Sequence, residues 1–264
     1  MANHLEAVGW DTAANAPVAA IAGLPWVRVR SGDGVFLTSS RLESHRLAAS
    51  FVKDASLDGS DMRVVIKDRL GLADDKPLVP RDIAAAVFRL DPLCLLHGVF
   101  FAESAKVWPG QPKIERAVTA CVEAHDVRRA ESGGVKRDAV SHSSGEGQDA
   151  SGGYGSIPFA RTEWTAGRIA LLVSIDDAQI HSYGLSPEAT DLLSAVARWE
   201  LRGILDGGLR LRTACDLRPD GDVGDLPPLA DLEADIARLV PAAPELDGVA
   251  PVLDVVWAKK GARR

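Results

Sequence analysis

Two arginines, Arg210 and Arg212, follow a double glycine in the run Leu205-Asp206-Gly207-Gly208-Leu209-Arg210-Leu211-Arg212-Thr213-Ala214-Cys215-Asp216-Leu217. Side chains alternate along a strand, so Leu209 and Leu211 take one face and the two guanidinium groups the other, about 7 Å apart. That is close to the spacing of successive phosphates on one nucleic-acid strand, and the pair reads as a phosphate track. A solvated sheet face gives the same pattern. A second group lies in Ser39-Ser40-Arg41-Leu42-Glu43-Ser44-His45-Arg46, where Ser40 and Glu43 have the spacing of a capping box. Free N–H groups and a positive dipole end at such a helix start suit phosphate, with Arg41, His45 and Arg46 close by. Further cations surround residues 132–156: Lys113 and Arg116 before, Arg128, Arg129, Lys136 and Arg137 at the near end, Arg161 beyond. In that tract seven glycines and six serines occupy 25 positions, too polar and flexible for a core, so it reads as a loop, a mobile hairpin or a disordered segment.

Catalytic patterns are missing from the same residues. The chain has no GxxxxGK[ST] phosphate loop, no HExxH pair and no GxSxG elbow, and its six histidines are scattered singly. Asp176 and Asp177 would point to opposite sides if they continued the strand, which argues against a joint metal site, and they read as a strand-end turn; His97 and His181 read as packed or surface histidines. The six tryptophans are too dispersed for a stacking platform and read as core or subunit contacts. Cys94, Cys121 and Cys215 are odd in number and far apart, which argues against a disulfide framework or a cysteine zinc site. No catalytic residue, metal or cofactor is assigned.

The elements that carry these residues follow from pattern. With 46% apolar and 25% charged residues, the 264-residue chain has the composition of a globular protein, and no secretory leader or membrane-length apolar run is seen, so it reads as cytoplasmic. The net charge of −7 sits within residues 216–247, where nine acids face Arg218 and Arg238, and the remainder sums to zero. Overall acidity therefore leaves room for a local basic track. Residues 18–24 and 35–38 read as strands around Gly32-Asp33-Gly34, and residues 40–53 as a helix with the stripe Leu42, Leu47, Ala48 and Phe51. Pro80 opens a helix that Asp91-Pro92 stops, followed by a buried run at 93–101. Residues 117–127 fit a helix or a strand, with the alternation of Val118, Ala120, Val122 and Ala124 favouring a strand, and residues 168–175 read as a strand. Ser186-Pro187 starts a helix with the stripe Leu192, Leu193, Val196, Trp199 and Ile204, and residues 229–239 and 252–257 add a helix and a last strand. Strand, helix, strand, strand, helix, strand is the ferredoxin-like order. The expected fold is one α+β domain. It has a ferredoxin-like (RRM-like) palm at about 18–53, 117–127 and 168–217, a mixed helical insertion at 54–116, a flexible hairpin at 128–160 and an acidic extension at 218–264.

Several segments together resemble a known family: the Ser39 to Arg46 block, Leu93-Cys94-Leu95-Leu96-His97-Gly98, Lys113-Ile114-Glu115-Arg116-Ala117-Val118-Thr119, Ile157-Pro158-Phe159-Ala160-Arg161-Thr162-Glu163-Trp164-Thr165-Ala166, Tyr183-Gly184-Leu185 and the Leu205 to Leu217 run. In order and spacing, over residues 35–217, they look like the CRISPR-associated RAMP protein of type I-U (I-G) systems, the backbone subunit of the Cascade interference complex; the N-terminus and the acidic C-terminal segment carry little of the resemblance. It implies a palm with a long hairpin, the thumb, and copies polymerised along one guide RNA beside other Cascade subunits, with target DNA read through the guide. It further implies phosphate contacts from Arg41, His45, Arg46, Arg210 and Arg212 on the palm, from Lys136 and Arg137 on the thumb, and from Lys113, Arg116 and Arg161 along the same groove, without a membrane. Two alternatives stay open: a RAMP endoribonuclease using His45 as general acid or base, and a self-assembling structural protein without RNA.

Overall fold

Alternation in Trp26-Val27-Arg28-Val29-Arg30 makes a strand whose two valines are fully buried while its arginines face outward. The computed structural model describes residues 2–102, 107–137, 156–212, 215–221 and 223–258. In chain order, helix α1 (Ala2–Val8) and the short ribbon β1 (Trp10–Asp11) with β2 (Ala16–Pro17) lead into β3 (Trp26–Arg30) and β4 (Phe36–Ser39). Then come α2 (Ser50–Lys53), β5 (Ser56–Leu57), β6 (Ser60–Asp61), α3 (Met62–Arg69), α4 (Pro80–Leu90) and α5 (Leu93–His97). Strands β7 (Val99–Phe100) and β8 (Lys113–Ile114) precede β9 (Val118–His125), β10 (Arg128–Arg137), β11 (Ser156–Thr165) and β12 (Arg168–Ile175). The rest is α6 (Asp177–Ser182), α7 (Pro187–Gly207), β13 (Leu209–Arg212), β14 (Cys215–Leu217), α8 (Leu229–Leu239) and β15 (Val252–Val256).

The chain is α+β and falls into two compact units, one of Met1–Ala120 with Val173–Arg264 and one of Cys121–Leu172, where the sequence suggested a single domain. The first unit holds a five-stranded sheet in the order β4-β3-β15-β5-β6. Its centre is a parallel pair, β15 against β3, in register from Val252↔Trp26 to Val256↔Arg30. On the outer face Arg28 donates two 2.6 Å hydrogen bonds to Asp254, which also accepts from Arg30 Nε.

This sheet corrects the expected palm. Strands β9 and β12 pair with each other in a separate two-stranded sheet, and β13 pairs with β14 in another. The last strand, assigned by sequence to an extension, is central. Residues 54–116, expected as an insertion, carry much of the first unit's core: Met62, Ile66, Phe88, Leu95, Leu96, Phe101 and Trp108 are all fully buried. Residues 18–24 hold a 3-10 turn at Ala19–Ile21 in place of a strand, with β3 starting after Pro25.

The helix expected at 40–53 is also broken up. Ser40 caps nothing there; its hydroxyl donates to Asp91 Oδ2 at 2.5 Å and accepts from the Val27 N–H at 3.1 Å. Glu43 accepts from Thr38, and Arg46 has φ of 50°, a left-handed backbone that no α-helix continues through. The remainder of the stretch is a 3-10 turn at Arg46–Ala48 and the single turn α2.

Helices with explicit start and stop signals lie where the sequence puts them. Ser186 accepts from the Ala189 N–H, Pro187 opens α7, and Gly208 ends it at φ of 79°. The stripe Leu192, Leu193, Val196, Trp199 and Ile204 is buried. A Cβ at Gly203 would overlap the Val8 side chain, so this glycine lets α1 lie close on α7.

A buried polar cluster joins α1, the 40–46 turn, α5 and α7. His97 Nε2 lies 2.9 Å from Glu200 Oε2 with both side chains fully buried, and His97 Nδ1 lies 3.8 Å from Glu6. Arg46 pairs with Glu6 and donates to the Gly98 carbonyl at 3.0 Å. Arg41 lies 3.6 Å from Asp91 and donates to the carbonyls of Leu24 and Pro25. Three carboxylates thus meet two guanidinium groups, and a protonated His97 completes the balance. Burial pushes the imidazole down, but Glu200, by charge and hydrogen bond, and then Glu6 push it further up, so its pKa is raised from 6.5. A raised folded-state pKa contributes stability that is fully present below the unfolded value and lost as pH rises through the folded value. Denaturant midpoints are therefore expected to fall as pH rises above 6.5, with a His97→Gln variant lacking that component. Identical pH slopes for the two proteins would contradict the assignment.

Candidate nucleic-acid interface

The second unit is built on a long antiparallel ribbon. Strands β10 and β11 pair over ten positions, from Arg128↔Thr165 to Arg137↔Ser156. Because opposed residues share a face, one face carries Arg128, Ala130 with Glu163, Ser132 with Arg161, and Gly134 with Phe159, and ends at Lys136. The other carries Arg129 with Trp164, Glu131 with Thr162, Gly133 with Ala160, and Val135 with Pro158.

The glycines here have packing roles. The Phe159 ring covers Gly134, where a Cβ would come within 3.1 Å, and a Cβ on Gly133 would sit 2.8 Å from the Phe159 carbonyl oxygen. The tract read as a loop, a mobile hairpin or a disordered segment thus begins and ends in paired strand, as a hairpin does. Residues 138–155, the rest of that tract, lie outside the described residues.

The ribbon is nearly all surface. Trp164 is 67% exposed, and Phe159, Val135 and Val127 are about half exposed. Arg129 pairs with Glu131 at 2.8 Å and Arg161 with Glu163 at 3.4 Å, while Arg128 and Lys136 are exposed with no ion pair among the described residues. By sequence the two strands hold five cations (Arg128, Arg129, Lys136, Arg137, Arg161) against two acids (Glu131, Glu163). Such a surface offers phosphates a positive track and offers bases an aromatic face. Trp164 was missed because tryptophans spread along a chain look like core; its place opposite Arg129 needed the register.

The other candidates separate by burial. Arg41 is a correction: it is buried and held by Asp91 and two carbonyls, and burial lowers its pKa while Asp91 and Glu200 oppose that shift. It is an internal structural cation, not one presented to a phosphate. Arg46 is nearly as enclosed, held by Glu6 and Gly98. Its neighbour His45 is exposed, as is Arg116, whose stem passes 3.1 Å from where a Gly98 Cβ would stand. Lys113 is exposed and paired with Glu115 at 2.7 Å.

Arg210 is exposed and opposes Asp216, with Leu209 buried on the other face as expected. The ladder shifts register between Arg210 and Arg212, so uniform alternation does not hold there. The side chains of Arg212 and Arg137 lie outside the described residues.

Among the described residues no group of three or more His, Cys, Asp or Glu is placed to hold a metal ion, and no helix is long and apolar enough to cross a membrane. All three cysteines are free, with Cys94 buried.

Residues 1–129 match the family described as CRISPR-associated protein GSU0053. The match supports a CRISPR-associated protein, and it begins at the N-terminus, which carried little of the resemblance read from the sequence. No curated protein matches the chain.

Proposed function

We propose that this protein is a non-catalytic guide-RNA-binding subunit that assembles in several copies along the RNA as the backbone of a type I CRISPR interference complex. The observation that carries this reading is the β10–β11 ribbon, an exposed antiparallel arm with a cation excess and an open tryptophan. The ribbon face of Arg128, Arg161 and Lys136 gives phosphates a track, and its other face holds Arg129 beside Trp164, where a base can stack; among the candidates of the first unit, His45, Lys113, Arg116 and Arg210 are exposed and serve as further RNA contacts in this reading. The match over residues 1–129 supports the CRISPR setting.

The test is RNA binding by the purified protein. Its absorbance ratio at 260 to 280 nm reports co-purified nucleic acid, and anisotropy with a labelled guide gives affinity against salt. Replacing Arg128, Arg129, Lys136 and Arg161 by Glu is expected to weaken binding for every sequence and flatten the salt slope by about 0.7 log unit per lost contact. Unchanged affinity and slope would remove the ribbon from the interface. Guide precursor incubated with or without Mg²⁺ is expected to stay intact, and cleavage lost on His45→Ala would establish the endoribonuclease instead.

A further inference from the structure

A cleft of ≈ 700 Å³ opens in the first unit between α4, the end of α3 and residues 248–253. One face of α4 forms the floor, with Asp82, Ala85, Ala86 and Arg89 at i, i+3, i+4 and i+7. Arg69, the last residue of α3, stands at the junction with an adjoining hollow of ≈ 290 Å³ that Lys76 also lines. Pro25, Val249 and Leu253 make an apolar side, and the two alanines leave the floor open.

The two arginines of this cleft are exposed and form no ion pair among the described residues, and the Asp82 carboxylate lines the cleft with them. Arg89 spends Nη1 on the Glu245 carbonyl at 2.6 Å. Burial and then the neighbouring Arg89 charge both push the Arg69 pKa down. A guanidinium stays protonated under such pressure, so two like charges line one open cleft. A fork of N–H donors matches phosphate oxygens, and the volume exceeds what a bare phosphate fills.

We infer that this cleft binds a nucleoside monophosphate, with its phosphate on Arg69 and Arg89, a sugar hydroxyl on the Asp82 carboxylate and the base against Pro25, Val249 and Leu253. The inference is independent of the RNA reading, since none of these residues belongs to the ribbon. The nucleotide is either free or the phosphorylated end of a strand.

Calorimetry on the full chain distinguishes these, with AMP, adenosine, inorganic phosphate and a short RNA with or without a 5′-phosphate as probes. AMP is expected to bind at one site per chain, more tightly than adenosine or phosphate. Arg69→Gln and Arg89→Gln should each weaken it by roughly tenfold or more, and Ala86→Leu should block it by filling the floor without touching a charge. Competition by the 5′-phosphorylated RNA alone identifies a strand end as the source, and competition by neither RNA a free nucleotide. Absence of saturable AMP binding at millimolar concentration, phosphate binding as tight as AMP, competition by both RNAs alike, or equal AMP affinity in all three variants would overturn the inference.

Discussion

An Asp91→Ala protein is expected to lose about 3–5 kcal/mol of folding stability, the usual result of removing one partner of a buried ion pair. Asp91 is fully buried, accepts from Ser40 Oγ and from the Leu93 N–H, and faces Arg41 Nε. Arg41 already has Nε and Nη1 without hydrogen-bond partners, so without Asp91 it keeps the Leu24 and Pro25 carbonyls and the attraction of Glu200 but no ion-pair partner. Asp91→Asn keeps one acceptor oxygen, enough for the Leu93 N–H or for Ser40 but not both, while losing the charge, and should cost less than alanine. Urea denaturation with an unchanged m-value is the measurement. A loss below about 1 kcal/mol for the alanine variant would show that the cluster does not depend on this pair.

Trp164→Ala should weaken RNA binding by about 1–3 kcal/mol, the range for removing one base–aromatic stack. At 67% exposure the ring contributes little to folding, so the melting temperature should stay put while affinity falls. Trp164→Phe keeps a smaller aromatic face and should recover part of the loss. Equal affinity for all three proteins would leave Trp164 outside the RNA path.

Local chemistry was legible in the sequence and long-range pairing was not. Helix α7 was readable because its cap, first proline, stripe and terminal glycine lie within 23 residues of one another, and α4 because prolines bracket it. The sheet was not, since nothing in residues 252–256 names residues 26–30 as neighbours. The same limit governs the site. Arg41 has the type and spacing of a phosphate ligand, and its burial depends on Asp91, fifty residues away in sequence. For residues 132–137 the sequence left loop, hairpin and disorder open because glycine is ambiguous: Gly133 and Gly134 serve close backbone approach and the Phe159 ring, and composition cannot separate that from flexibility. The basic residues flanking the tract were legible because charge needs no partner to be seen.

The parallel pairing of β15 with β3 sets the order of events on the ribosome. Arg28 waits for Asp254, 226 residues later in the chain. At elongation rates of about 5–20 residues per second, β3 spends roughly 10–45 s without its central neighbour, with the edge that β15 will occupy open. The first unit therefore closes after the second has left the exit tunnel, so β10 and β11 emerge while the five-stranded sheet is still unfinished. A chain interrupted before residue 252 would carry a complete ribbon on an unclosed sheet, a species exposed to aggregation and proteolysis.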